Sequence, residues 1–122
     1  MNTERPGDLR HRTKQYALRI LRLSGSLPRG MEAQVLGKQL LRSGTSVGAH
    51  YREAMRARSP AEFVSKIGGA LQEIEETAYW LELLIEGGIV PEVRLKDLAQ
   101  ETNELTAILV ASAKTAKRRM KR

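Results

Sequence analysis

The sequence predicts an all-α protein, an antiparallel up-down-up-down four-helix bundle formed as a single domain by all 122 residues. Apolar and small side chains recur at steps of three and four along four segments, which is the spacing of one buried helix face. Glycine and proline interrupt the pattern at three short breaks, and short connections between long helices favour antiparallel neighbours. Because aromatic residues make up only 4% of the chain, we expect an aliphatic core.

The breaks set the expected helix boundaries. The four helices are predicted near residues 8–27, 31–58, 60–87 and 91–119. A glycine- and proline-containing break over residues 25–30 separates the first two. Ser59 can cap the third helix, and Pro60 suits its first turn. Gly87 is placed to end the third helix.

Three glycines lie inside the second predicted helix, at Gly37, Gly44 and Gly48. Each costs about 1 kcal/mol relative to alanine in a helix interior. We therefore expect a neighbouring helix to approach closely along this face. A phosphate-binding loop would need glycines at a strand-to-helix turn, and the sequence predicts no such turn here.

Polar residues also occur on the apolar stripes. Aligning the antiparallel helices from their connections places Thr13, Ser43 and Thr102 in one layer beside Ile74. Serine and threonine hydroxyls can bond to a carbonyl oxygen of their own helix, so such a layer can be buried. Packing and register control are favoured over a buried functional site.

Charge is strongly sorted along the chain. Residues 1–58 hold 12 Lys/Arg and 4 Asp/Glu, residues 59–104 hold 3 and 10, and residues 105–122 hold 6 and none. In the predicted bundle both chain ends and the turn near residues 58–62 share one end, which attracts polyanions such as nucleic acid. The alternative is a solvated basic surface that serves solubility. The candidate nucleic-acid-binding residues are Arg10, Arg12, Lys14, Lys114, Lys117, Arg118 and Arg119.

The third helix carries more apolar surface than one stripe needs. Trp80 and Leu83 lie beside its core stripe, flanked by Glu73 and Glu76, and these four residues are the predicted interface of a homo-oligomer. The alternative is that they widen the core of the single chain. We also expect ion pairs, within or between subunits, between the Arg52–Glu53 and Glu73–Glu76 regions.

The sequence gives little support for catalysis. It has no cysteine, so disulfides and thiolate metal sites are excluded, and no cofactor or metal is predicted. His11 and His50 are 39 residues apart without metal-ligand spacing, and His50 is expected to be a hydrogen-bonded core residue. No apolar segment near the first residues resembles an export signal, and the longest apolar run, over 107–111, cannot cross a bilayer. We therefore expect a cytoplasmic, non-enzymatic protein without membrane association.

Three blocks resemble the 23S rRNA-intervening-sequence protein family, in the family's order. They are RSGTSVGAHYREAMRAR (42–58), LQEIEETAYWLELLIEGG (71–88) and LTAILVASAKTAKRR (105–119). The positions that match the family pattern are Arg42, Ser43, Ser46, Tyr51, Arg52, Glu53, Glu76 and Thr77. His50 departs from that pattern, because the family usually has asparagine there.

The resemblance implies a left-handed antiparallel bundle that assembles into a ring-shaped homopentamer. The chain is also distantly similar to accessory proteins of diversity-generating retroelements, which implies RNA and a reverse transcriptase as partners. We therefore predict a non-catalytic, oligomeric bundle that binds nucleic acid, expected to be RNA, through a basic face. The alternative is a protein-binding adaptor, such as an accessory subunit of a polymerase.

Overall fold

The computed structural model describes residues 8–121, which form four α-helices and no β-strand. The helices are α1 (Leu9–Gly25), α2 (Met31–Met55), α3 (Pro60–Glu86) and α4 (Glu92–Met120). Each helix packs against the next along the chain, and α1 also contacts α4. This arrangement is the predicted all-α four-helix bundle. The α2–α3 interface is the most extensive, and the α1–α4 interface is the smallest.

The helices begin and end within three residues of the predicted positions. At the start of α3 the Ser59 side chain accepts a hydrogen bond from the Glu62 N–H at 3.1 Å, with Pro60 in the first turn. The largest difference is the end of α2, at Met55 rather than near residue 58. There the backbone N–H of Arg56 turns back to the Glu53 carbonyl oxygen at 3.1 Å, which closes the helix early.

The core is built from the predicted apolar stripes. The largest fully buried aliphatic side chains are Ile20, Leu40, Val47, Ile67, Ile74, Leu84, Val90, Leu105 and Leu109. Tyr16 is also fully buried, and its hydroxyl shares a 2.7 Å hydrogen bond with Thr102 Oγ1. This bond supplies the polar partner that a buried phenol requires. Burial raises the pKa of Tyr16 far above its ordinary value.

The predicted single layer of Thr13, Ser43 and Thr102 is wrong. Thr13 Oγ1 would lie only 3.1 Å from a Cβ added at Gly48, which places Thr13 more than a turn of α2 away from Ser43. Ser43 instead pairs with Thr77, whose hydroxyl donates to Ser43 Oγ at 2.8 Å. Thr13 donates instead to the Leu9 carbonyl oxygen at 2.7 Å, and Thr102 pairs with Tyr16. The alignment from the connections alone did not give the stagger between α1 and α2.

The predicted close approach at the glycines is confirmed. A Cβ at Gly44 would lie 2.7 Å from Ile20 Cγ2, which is closer than real Cβ contacts allow. At Gly37 and Gly48 the nearest atoms would be 3.1 Å away. The neighbours are side chains of α1, Thr13 and Ile20, and of the α1–α2 connection. The glycine face of α2 therefore allows α1 to pack closely against it.

Replacing Gly44 with alanine should destabilise the fold. Overpacking against Ile20 costs about 1–3 kcal/mol, which exceeds the gain of about 1 kcal/mol in helix propensity. Gly68→Ala is the matched control, because Gly68 is exposed within α3 and an added Cβ meets nothing within 4 Å. It should raise the free energy of unfolding by about 0.5–1 kcal/mol. Urea unfolding of both variants measures the difference, and equal effects of the two would contradict close packing at Gly44.

Candidate nucleic-acid interface

The up-down order brings the start of α1, the end of α2, the start of α3 and the end of α4 to one end of the bundle. Phe63 near the start of α3 lines a recess together with Ala116 and Arg119 near the end of α4. We name this end the basic end. Its described basic residues are Arg10, Arg12, Lys14, Arg52, Arg56, Arg58, Lys66, Lys114, Lys117, Arg118, Arg119 and Lys121. Arg5 and Arg122, which the sequence also places here, lie outside the described residues.

The last turns of α4 carry the densest positive charge. Lys114, Lys117, Arg118 and Lys121 follow the spacing i, i+3, i+4, i+7, and we name them the basic stripe. This spacing puts four exposed cations on one face over about 10 Å of helix. Within residues 8–121, no carboxylate lies within 4.0 Å of the stripe or of exposed Arg119. Cations here also complement the negative end of the helix dipole.

Arg12 has a different environment from the other candidates. Its Nε donates to Glu101 at 3.2 Å, and its Nη2 lies 2.5 Å from Glu101 and 3.3 Å from Glu104. The hydrogen bond to Glu101 raises the pKa of Arg12 above its ordinary value, although partial burial opposes the shift. Two carboxylates therefore offset the charge of Arg12. Because both lie on α4, these contacts link α1 to α4. Arg10 and Lys14 are exposed on the same helix.

The turn between α2 and α3 carries mixed charge. Lys66 Nζ lies 2.8 Å from the Glu53 carboxylate, and this pairing lowers the pKa of Glu53. Arg56 and Arg58 line a shallow recess with Glu53, Glu62 and Lys66. Because two carboxylates lie among three cations, this turn attracts anions less strongly than the basic stripe.

Several residues that match the family pattern hold α2 against α3. Arg42 Nη1 lies 3.1 Å from Glu73, and its Nη2 lies 3.1 Å from Glu76. Glu73 is nearly buried, at 9% exposure, so Arg42 supplies the counter-charge that a carboxylate in this position needs. One residue further along α2, Ser43 forms its buried hydrogen bond with Thr77. Ion pairs and a hydroxyl pair therefore meet at one level of the interface.

The remaining motif residues continue toward the basic end. Ser46 Oγ donates to the Arg42 carbonyl oxygen at 2.6 Å. The His50 ring lies over Gly69, where an added Cβ would be 2.9 Å from Nδ1. His50 is half-buried, and the expected hydrogen bond is absent at Nδ1, which is buried without a partner among residues 8–121. Tyr51 is half-buried, and this burial raises the pKa of its phenol.

Within one chain, the predicted pairing of the Arg52–Glu53 region with the Glu73–Glu76 region is wrong, and the pairing between subunits stays a prediction. Glu73 and Glu76 pair with Arg42, and Glu53 pairs with Lys66. Because α2 and α3 are antiparallel about a turn near residue 58, residue 42 lies opposite 73–77 and residue 53 lies opposite 66. Arg52 is half-buried near the end of α2, well away from Glu76 along the bundle.

The predicted oligomer interface is partly covered by its own chain. Trp80 and Leu83 are half-buried, and Trp80 packs against the core. Trp80 Nε1 is buried without a hydrogen-bond partner within the described part of the chain. Tyr79, which sequence analysis did not single out, is 53% exposed, and its ring centroid lies 5.2 Å from that of Trp80. The exposed aromatic surface on this side of α3 therefore centres on Tyr79.

Metal sites and membrane-spanning helices are both absent from residues 8–121. No group of three or more His, Cys, Asp or Glu side chains there is arranged to hold a metal ion. None of the helices in this part of the chain has the length and apolar character needed to cross a membrane.

These features define a small four-helix bundle with a motif-bearing α2–α3 interface and a basic end. Residues 8–111 match the family model of the 23S rRNA-intervening sequence proteins, and the chain belongs to this family. A similar crystal structure is that of a protein with unknown function from the S23 ribosomal protein family of Bacteroides thetaiotaomicron. The two sequences are 37% identical, and the aligned region covers 86% of this chain and 97% of that chain, with a TM-score of 0.81. No curated protein matches the chain.

The family match ends before the basic stripe begins at Lys114. The α2–α3 interface lies wholly within the matched residues. The family relationship therefore covers the bundle and its motif, and the charged last turns of α4 lie outside the matched residues.

Arg42→Gln should lower the free energy of unfolding by about 1–2 kcal/mol, because it leaves the nearly buried Glu73 without its counter-charge. Lys38→Gln, about one turn earlier on α2 at an exposed position, is the control and should change stability by less than about 0.5 kcal/mol. Chemical denaturation of both variants at neutral pH provides the measurement. If Arg42→Gln is as stable as the control, Arg42 does not compensate Glu73.

Proposed function

We propose that this protein is a non-catalytic, homo-oligomeric nucleic-acid-binding protein whose ligand is RNA. The observation that carries the proposal is the basic stripe on α4, together with Arg119. These residues are exposed, and they have no carboxylate partner among residues 8–121. A cluster of unneutralised cations is the electrostatic feature by which proteins attract phosphate backbones.

The mode of binding follows from the side chains at the basic end. Phe63 and Tyr51, the aromatic rings described there, are both half-buried. Base stacking on exposed rings, which supports many single-strand binders, is therefore expected to contribute little. Contacts from lysine and bidentate arginine to phosphates supply most of the affinity. Binding is accordingly sensitive to salt and tolerant of sequence.

Assembly strengthens this proposal. The family resemblance favours a ring-shaped homopentamer, and the surface around Tyr79, Trp80 and Leu83 is the proposed interface. In a cyclic ring every subunit points the same way, so the basic ends form one broad positive face. Several weak phosphate contacts on linked subunits then combine into avid binding.

A partly apolar groove along the first turns of α4, next to the end of α3, favours a second candidate function. Ile85, Val93 and Ala99 help to line a groove of about 720 Å³ at the end opposite the basic end, and Val93 is 81% exposed. Such a groove suits an apolar segment of another protein. The second candidate is therefore an adaptor or accessory subunit, for example of a reverse transcriptase.

Replacing Lys117, Arg118 and Arg119 together with glutamine should weaken RNA binding for all sequences. Each lost phosphate contact removes about 0.7–0.9 from the slope of log K against log salt, so the slope should fall by about two to three. Electrophoretic mobility shift over a salt series measures both quantities. Wild-type affinity and slope in the triple variant, or no binding by the wild type at low salt, would favour the adaptor instead.

The matched control for that experiment carries three glutamines at Arg29, Lys38 and Lys96. These exposed residues lie away from the basic end, and their replacement lowers the net charge by the same amount. The control should keep most of the affinity and slope of the wild type. Arg12→Gln should also have a small effect, because Glu101 and Glu104 already offset its charge.

Light scattering at micromolar concentration should give a mass several times the 13.7 kDa of one chain, with five copies expected. Leu83→Lys should reduce that mass, because it places a charge in the proposed apolar interface. Val35→Lys is the control, an equally drastic change at an exposed position on α2 that lies outside both the proposed interface and the groove. A monomeric wild type, or an unchanged mass in Leu83→Lys, would contradict the proposed assembly.

A further inference from the structure

A second cluster of cations lies at the other end of the bundle. Arg19 and Arg22 from α1 and Arg94 from α4 line a recess of about 500 Å³, which we name the arginine recess. The Arg94 guanidinium donates a 2.6 Å hydrogen bond to Ser26 Oγ, just after the end of α1. This bond holds the Arg94 side chain at the recess. Leucines of the core form its apolar wall.

The charge of the recess is not balanced by its own residues. Asp97 is the acidic residue among those that line it, against three arginines. Within residues 8–121, no carboxylate lies within 4.0 Å of these guanidinium groups. Bringing three like charges around one recess is unfavourable unless an anion or solvent screens them. The guanidinium groups of Arg22 and Arg94 are on exposed residues, so a ligand can reach them.

The backbone of α4 adds to the positive potential. This helix begins after Pro91 without a side-chain cap, so the first N–H groups of α4 have no side-chain acceptor. The N-terminal end of a helix carries partial positive charge, and Arg94 lies in its first turn. The helix end and the arginine side chains therefore both favour an anion, although Glu92 in the first turn of α4 offsets part of this potential and the Arg94 N–H already donates to the Pro91 carbonyl oxygen.

We propose that the arginine recess binds a phosphate group, presented by a phosphorylated small molecule or by the terminal phosphate of an RNA. Phosphate matches the recess because guanidinium groups grip tetrahedral oxyanions bidentately. The distance along the axis of α4 from Arg94 to Lys117 is roughly 35 Å, at 1.5 Å per residue. The recess is thus separate from the basic end, and the proposal does not depend on the proposed function.

The test uses the full chain with sodium phosphate as the probe, against sodium chloride at equal ionic strength. Phosphate at 10 mM should raise the melting temperature of the wild type by about 5–6 °C if its Kd is about 1 mM. Arg22→Gln/Arg94→Gln should bind phosphate at least about tenfold more weakly by calorimetry and lose the rise. The control Lys38→Gln/Lys96→Gln, with the same change in net charge at exposed positions, should keep it.

A second arm identifies the source of the phosphate. Two RNA oligonucleotides of one sequence, with 5′-phosphate and with 5′-hydroxyl, are compared for binding to the wild type and the arginine variant. Tighter binding of the phosphorylated RNA by the wild type alone assigns the site to RNA termini. Equal binding of the two RNAs, together with stabilisation of the wild type alone by free phosphate, assigns it to small phosphorylated ligands. The proposal is overturned if phosphate does not stabilise the wild type, or if it stabilises the arginine variant equally.

Discussion

The antiparallel register between α2 and α3 is the constraint on which the rest of the bundle depends. Three contacts set it along α2, from Arg42 with Glu73, through Ser43 with Thr77, to Glu53 with Lys66. The hydroxyl pair is the most deeply buried of the three contacts, and sliding either helix would break it, leaving Thr77 and Ser43 with only carbonyl oxygens of their own helices as partners. Since α1 packs on α2 and α4 on α3, this register also determines which residues meet at each end.

The four helices and their core stripes were predictable because they depend on local sequence patterns. Periodic apolar residues mark the buried faces, and glycine and proline mark the ends. The close approach at Gly44 was predictable too, because glycines inside a long helix need a compensating contact. The hydroxyl pairs were not predictable, because they depend on the stagger between helices that only tertiary packing determines.

The partner of Glu76 could have been found from periodicity. Arg42 and Glu53 are eleven residues apart. At 100° per residue, this spacing places them on nearly the same side of the helix. Arg52 is rotated about 80° from Arg42, so the two arginines cannot both face α3 in the same way. The basic end followed from topology alone. Two other features could not be predicted because they join segments that are distant in sequence. They are the ion pair of Arg12 with Glu101 and the recess lined by Arg19, Arg22 and Arg94.

The last buried residue of α4 is Ala113, so residues 114–120 are helical without a fully buried face. Their order rests on local hydrogen bonds and on the attraction of cations to the helix end, while like charges along the basic stripe repel one another. These turns should therefore lie at the low end of the local unfolding free energies of the protein. A polyanion that binds here would remove the repulsion and stabilise the helix over residues 114–120. Amide hydrogen exchange in these residues would then slow as more of the protein is bound. Part of the binding free energy would go into ordering the helix.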